Sequence, residues 1–163
     1  NWLKKLKTNK EYLVGIKWSG NPNNKEDKNR SMKLKEIKPL LNLPFQFHCL
    51  DFELNDEDKK VLSENQNIVF HGKNLLGMEK TAGLIENLDL VISVDTSIAH
   101  ISSSIGKPVW LLLSYLHDSR WMLNRDDSPW YPNLIIIKQT RHKNWSEVIK
   151  IVYKKLKNHF NKS

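Results

Sequence analysis

The segment Val91–His100, VISVDTSIAH, runs from strand-forming residues straight into an acid, two hydroxyls and a histidine. Strands that end in ordinary turns usually do so on Gly, Asn or Pro. A helix that starts at Asp95-Thr96-Ser97 instead suits a ligand. Thr96 or Ser97 can act as N-cap, its hydroxyl accepting from an amide of the first turn. The remaining amides and the helix dipole favour an anion, by ~0.3–1 kcal/mol per charge at an exposed site, and phosphate is the natural guest. His100 falls about one turn in and can face the same mouth. A carboxylate repels phosphate, so Asp95 better suits sugar hydroxyls or the backbone of a neighbouring loop. Spacing alone fits equally well an Asp95 that only helps cap the helix and a His100 that packs half-buried.

A second segment, Trp18-Ser19-Gly20-Asn21-Pro22, follows the apolar run YLVGIKW. Ser19, Gly20 and Asn21 offer small side chains and accessible amides, as phosphate-binding turns do. Arg30, further along, carries a forked set of donors suited to a diphosphate. A solvated loop arginine fits as well. Neither G-x-G-x-x-G nor G-x-x-x-x-G-K-[ST] occurs, which argues against a dinucleotide dehydrogenase and a P-loop ATPase. The histidines are scattered and no C-x-x-C or H-E-x-x-H spacing exists, so no metal is expected. No G-x-S-x-G elbow is present either.

These segments need elements to hold them. Apolar runs at 12–18, 45–50, 67–71, 89–94, 108–113 and 134–138 read as six strands. Residues 21–31 between the first strand and the first helix read as a polar loop. Helical spacing appears at 32–41, 56–65, 79–87, 96–105 and 145–160, the last an amphipathic C-terminal helix. Gly106 closes the helix from 96. The strands are continuously apolar and alternate with helices, the pattern of a parallel sheet covered on both faces. The expected fold is α/β: an open Rossmann-like sheet of six strands ordered 3-2-1-4-5-6. Ligands of such sheets bind beyond the carboxyl ends of the strands where the order reverses, between the first and fourth. Both candidate segments leave those two strands. The stretch from Ser114 to Asn133 is too long and aromatic for a bare connector. Trp121, Trp130 and Tyr131 are expected to pack over the sheet edge. Arg120 and Arg125 are candidates to face an acidic ligand, although an ordered surface loop pinned by its tryptophans fits most of it better.

The 163 residues suffice for one compact domain, 1–163, with 1–10 read as a linker helix. Net charge is +8, which favours anionic partners, although the clusters KKLK at Lys4–Lys7 and Lys154–Lys157 suit solvated helix faces. The single cysteine, Cys49, rules out an internal disulfide. With no export signal and no apolar run near the ~20 residues that cross a bilayer, a cytoplasmic location is expected. The basic charge also suits the inner face of the membrane.

The segments WSGNP, NRSMKL, DLVISVDTSIAH, GKPVWLLL and RDDSPWYP, in this order, resemble the C-terminal half of glycosyltransferase family 9-like enzymes, relatives of the heptosyltransferases. Bacterial proteins with tetratricopeptide repeats ahead of the transferase module are the most similar kind. The resemblance covers nearly the whole chain. It implies one half of a GT-B architecture, in which two Rossmann-like domains face each other across a cleft and the C-terminal one holds a nucleotide-sugar donor. Carried over, Asp95, Thr96, Ser97 and His100 contact the donor, Ser19 and Gly20 (with Asn21 beside them) form the turn, and Arg30 meets the phosphates. Heptosyltransferases commonly place a lysine closer to that turn, which leaves Arg30 a departure from the pattern. Asp51, Glu53 and Glu57 compete to hold the ribose. The implied reaction is direct displacement at the anomeric carbon with inversion, without a metal or other cofactor. The acceptor, a glycan, lipid or protein, and the catalytic base would belong to an N-terminal domain absent from these 163 residues. On that reading the chain alone binds donor weakly and does not turn over. A non-catalytic scaffold with a degenerate transferase fold is the alternative, and a nucleic-acid-binding domain ranks last because the aromatic residues do not share one basic strand face.

Overall fold

The computed structural model describes residues 12–21, 23–25, 27–122 and 125–160. The expected linker helix at 1–10 lies outside them. Six strands, β1 (Leu13–Lys17), β2 (Gln46–Cys49), β3 (Ile68–Phe70), β4 (Leu90–Val94), β5 (Val109–Leu113) and β6 (Leu134–Lys138), form one sheet ordered β3-β2-β1-β4-β5-β6. Every adjacent pair is parallel. The helices are α1 (Asp27–Arg30), α2 (Leu34–Ile37), α3 (Asp56–Ser63), α4 (Met78–Ile85), α5 (Ser97–Ser104) and α6 (Trp145–Phe160). The expected fold and strand order are therefore those observed.

Successive strand residues point to opposite faces, and both faces are covered, so each strand must be apolar throughout. On one face Val14, Ile16, Leu90, Ile92 and Leu112 pack with Leu34, Ile37 and Leu40 and with Val148, Val152 and Leu156 of α6. On the other, Val91, Val109, Leu111 and Ile136 pack with Leu84 and Ile85 of α4 and Ile98 and Ala99 of α5. Cys49 is buried in the first of these layers. Its thiol is pushed up, chiefly by burial.

Two stretches differ from the sequence reading. The single helix expected over 32–41 is split into α2 and a 3-10 turn at Leu40–Asn42. Pro39 lies between them; it has no N–H to continue the ladder and its ring crowds the carbonyl one turn back. The polar loop over 21–31 contains the short helix α1, whose Asp27 is buried. Elsewhere the ends are as the residues dictate. Asn55 caps α3 by accepting from the Asp58 amide at 2.8 Å. Gly106, at φ 82°, ends α5 in a Schellman motif, with its own amide bonded to the Ser103 carbonyl and that of Lys107 to the Ser102 carbonyl. Among the described residues, no helix is long and apolar enough to cross a membrane.

Candidate functional site

A cleft of about 940 Å³ opens beyond the carboxyl ends of β1 and β2, against the start of α5. It is where the strand order reverses. Ser19, Gly20, Asn21 and Arg30 line it from one side and Thr96 and Ser97 from the other, so the fold brings the two candidate segments together. Asp51 and Glu53 also line it, whereas Glu57 lies outside and pairs with Lys33 and Lys35. Of the three acids considered for the ribose, Asp51 and Glu53 face the cleft and Glu57 does not.

The turn after β1 is less open than its small residues suggested. The Gly20 amide donates to the Ser31 hydroxyl at 2.8 Å. Asn21 accepts from the Asn23 amide through its side chain, closing a local Asx turn. Gly20 is required for a different reason: a Cβ there would stand 2.8 Å from Arg30 Nη2 and collide with the Asp27 carboxylate. The glycine makes room for a side-chain pair, in which Arg30 Nε donates to Asp27 Oδ1 at 3.2 Å.

One of the two cations that line the cleft was not singled out from sequence. Lys17, the last residue of β1, donates its ammonium to Asp51 just beyond β2. Burial pushes the Asp51 carboxyl above its usual range, outweighing the pull of Lys17. Its Oδ2 is buried and has no hydrogen-bond partner. Lys17 sits inside the apolar run YLVGIKW, and a lysine in a run otherwise destined for burial needs an acidic partner. That was the available signal. Asp58 was also missed; it is structural, accepting from the Trp18 indole at 3.0 Å and from the Leu34 amide at 3.2 Å.

Thr96 occupies the N-cap of α5, yet its hydroxyl faces Ser93 Oγ at 3.1 Å and makes no cap bond. Neither Asp95 nor His100 lines the cleft. Asp95 Oδ2 accepts from the Trp121 indole at 3.0 Å, so its partner is a side chain of the long loop and not backbone. His100 stacks on the Trp121 ring, with centroids 5.3 Å apart, and its Nδ1 lies 3.0 Å from the Tyr131 hydroxyl. Trp121 is buried, whereas Trp130 is 67% exposed. Arg120 and Arg125 pair with Asp118 and Asp127 on the surface and not with a cleft. Among the described residues, no three His, Cys, Asp or Glu side chains gather as a metal site would need.

Residues 56–156 match the family model described as glycosyltransferase family 9 (heptosyltransferase). The chain belongs to glycosyltransferase family 9. The matched span includes Asp95–His100 and the aromatic loop, while the Ser19–Arg30 side of the cleft falls before it. Among solved structures, this family 9 chain resembles the Escherichia coli heptosyltransferase WaaC with ADP-2-deoxy-2-fluoro heptose, at TM-score 0.64 and 12% identity over 90% of this chain and 43% of that one. The same enzyme with ADP gives TM-score 0.66 at 12% identity, covering 91% and 44%. A family 9 glycosyltransferase from Veillonella parvula DSM 2008 gives 0.61 at 13%, covering 92% and 42%. At these identities the likeness is one of fold, and the chain spans less than half the length of each structure. No curated protein matches it in sequence.

Proposed function

We propose that the chain is the nucleotide-sugar-binding half of an inverting family 9 glycosyltransferase. The observation that carries this reading is the cleft itself, which sets Lys17 and Arg30 across from the first turn of α5. Two cations and a helix N-terminus suit a diphosphate. Arg30 commits Nε to Asp27, and a guanidinium has further donors. The bare Oδ2 of Asp51 makes it the better acceptor for a ribose hydroxyl than Glu53. Asp95 and His100, one step along the rim, are suited to the sugar. WaaC, similar in fold, is known with ADP and with an ADP-heptose analogue. In the proposed reaction an acceptor hydroxyl oxygen bonds to the anomeric carbon as its bond to the β-phosphate oxygen breaks. The nucleoside diphosphate leaves, and a base from the rest of the enzyme takes the hydroxyl proton. Cationic side chains and helix amides stabilise the departing charge without a metal.

A second reading, a scaffold that binds no donor, draws on one observation: each cation of the cleft already holds a carboxylate. Isothermal titration of the folded chain with UDP, ADP and GDP separates the two. Binding of one of them, weakened about tenfold by Arg30→Ala as expected for a lost charge-assisted bond, supports the donor site. A folded chain that binds none of the three supports the scaffold.

A further inference from the structure

We propose that Trp121 and Tyr131 are positioning residues of the donor site: together they fix the orientation of Asp95 and the tautomer of His100. The proposal rests on the reading of Asp95 and His100 as sugar contacts. It assigns a task to the aromatic loop that the nucleotide cleft does not use.

Four side chains form one connected unit. Trp121 Nε1 donates to Asp95 Oδ2 at 3.0 Å. An indole nitrogen can only donate, so this bond has one polarity. Trp121 is 1% exposed, and a buried donor without an acceptor is costly, so the carboxylate is held where the indole needs it. The other oxygen, Oδ1, lies 3.9 Å from His100 Nε2. That is too long for a direct hydrogen bond but close enough for the charge to act. A lone pair on Nε2 would face a carboxylate and be repelled; an Nε2–H is attracted. The proton of a neutral His100 therefore belongs on Nε2, which leaves Nδ1 bare. Tyr131, 3.0 Å from Nδ1, then donates its hydroxyl to that nitrogen. The imidazole is also stacked on Trp121 at an interplanar angle of 26°, which restricts its rotation.

Polarity thus runs one way through the unit, from Tyr131 to His100 to Asp95, with Trp121 closing the far end. The outcome is a fixed donor, Nε2–H, beside a fixed acceptor, Asp95 Oδ1, at the end of β4. A sugar hydroxyl can use both at once. Neither Trp121 nor Tyr131 lines the cleft. Their loss should therefore be felt by a sugar and not by a bare nucleotide.

The test has two arms on the folded 163-residue chain. Long-range ¹H–¹⁵N correlation spectra of the histidine rings report the tautomer without any ligand. His100 is expected with its proton on Nε2, and Tyr131→Phe, which deletes a single hydroxyl, should populate the Nδ1–H form. A wild-type His100 protonated on Nδ1, or a Tyr131→Phe spectrum identical to wild type, would overturn the proposal. In the second arm, Tyr131→Phe should weaken ADP-glucose or UDP-glucose about fivefold, the size of one net hydrogen bond, and leave ADP or UDP unchanged. Equal weakening of sugar nucleotide and bare nucleotide would also overturn it. If wild type binds no nucleotide at all, the donor reading fails and the spectra alone decide the positioning. Trp121→Phe repeats both arms where it folds, as judged by circular dichroism.

Discussion

Beyond β1 and β2 the polar side chains of the rim hold one another, while beyond β4 and β5 aromatic rings hold them. In the first region Lys17 pairs with Asp51 and Arg30 with Asp27, around an open cleft. In the second, Asp95 and His100 are fastened to Trp121 and Tyr131. Each charge of these largely buried pairs keeps a further lone pair or donor, such as Asp51 Oδ2 and the remaining guanidinium N–H groups of Arg30. A carboxylate tied to a buried indole cannot turn without unpacking the ring. The first region keeps polar capacity to spare, whereas the second is fixed by a buried ring.

The largest test of that contrast is Trp121→Ala. Removing a fully buried tryptophan costs about 3–5 kcal/mol, whereas Trp130→Ala, at a position 67% exposed, should stay within about 0.5 kcal/mol. Urea unfolding of the two variants measures the difference; equal losses would mean that the loop is not pinned where the contacts indicate.

Acid should find the β2 side first. His48, buried on β2, has its ring held down to about 4 by burial and then by His71, whose Nε2 lies 3.0 Å from His48 Nδ1. The unfolded chain takes up that proton near pH 6.5, so it binds more protons than the folded one between about 4 and 6.5. The His48 contribution is complete above pH 6.5 and is lost as pH falls toward 4, by about 3 kcal/mol in all. Urea midpoints at pH 7 and 4.5 should separate less in His48→Leu than in wild type. An unchanged separation would remove His48 as the cause.

The smallest effect concerns the ion pair. Lys17→Met leaves Asp51 without its partner and should cost about 2–3 kcal/mol, below a fully buried pair because both side chains keep some exposure. Adding Asp51→Leu should recover most of it. A double variant as unstable as Lys17→Met alone would show that packing, not charge, holds the cleft floor.

Sheet order was legible because parallel strands covered on both faces leave an unmistakable pattern, long apolar runs such as VISV and PVWLLL between helical spacings. The position of the cleft followed from that order. Partners within it did not. Lys17 was concealed inside a strand, and nothing local ties it to Asp51, 34 residues on. The Gly20 amide looked available because Ser31, which takes it, lies across a loop whose short helix has no periodicity to reveal it. Asp95 and His100 stand out by type and spacing, but their attachment to Trp121 and Tyr131 is a contact across 26 and 31 residues that only the folded chain makes.

Cys49 has one practical consequence. Sealed in the core with its thiol pushed up, it should present little thiolate near neutral pH and react slowly with maleimides, as labelling of the native chain would measure. No other cysteine occurs in the sequence. A single change at the exposed lip of the cleft, Asn23→Cys, would therefore accept a fluorophore at one defined place, and quenching of that dye would report occupancy in the otherwise native chain.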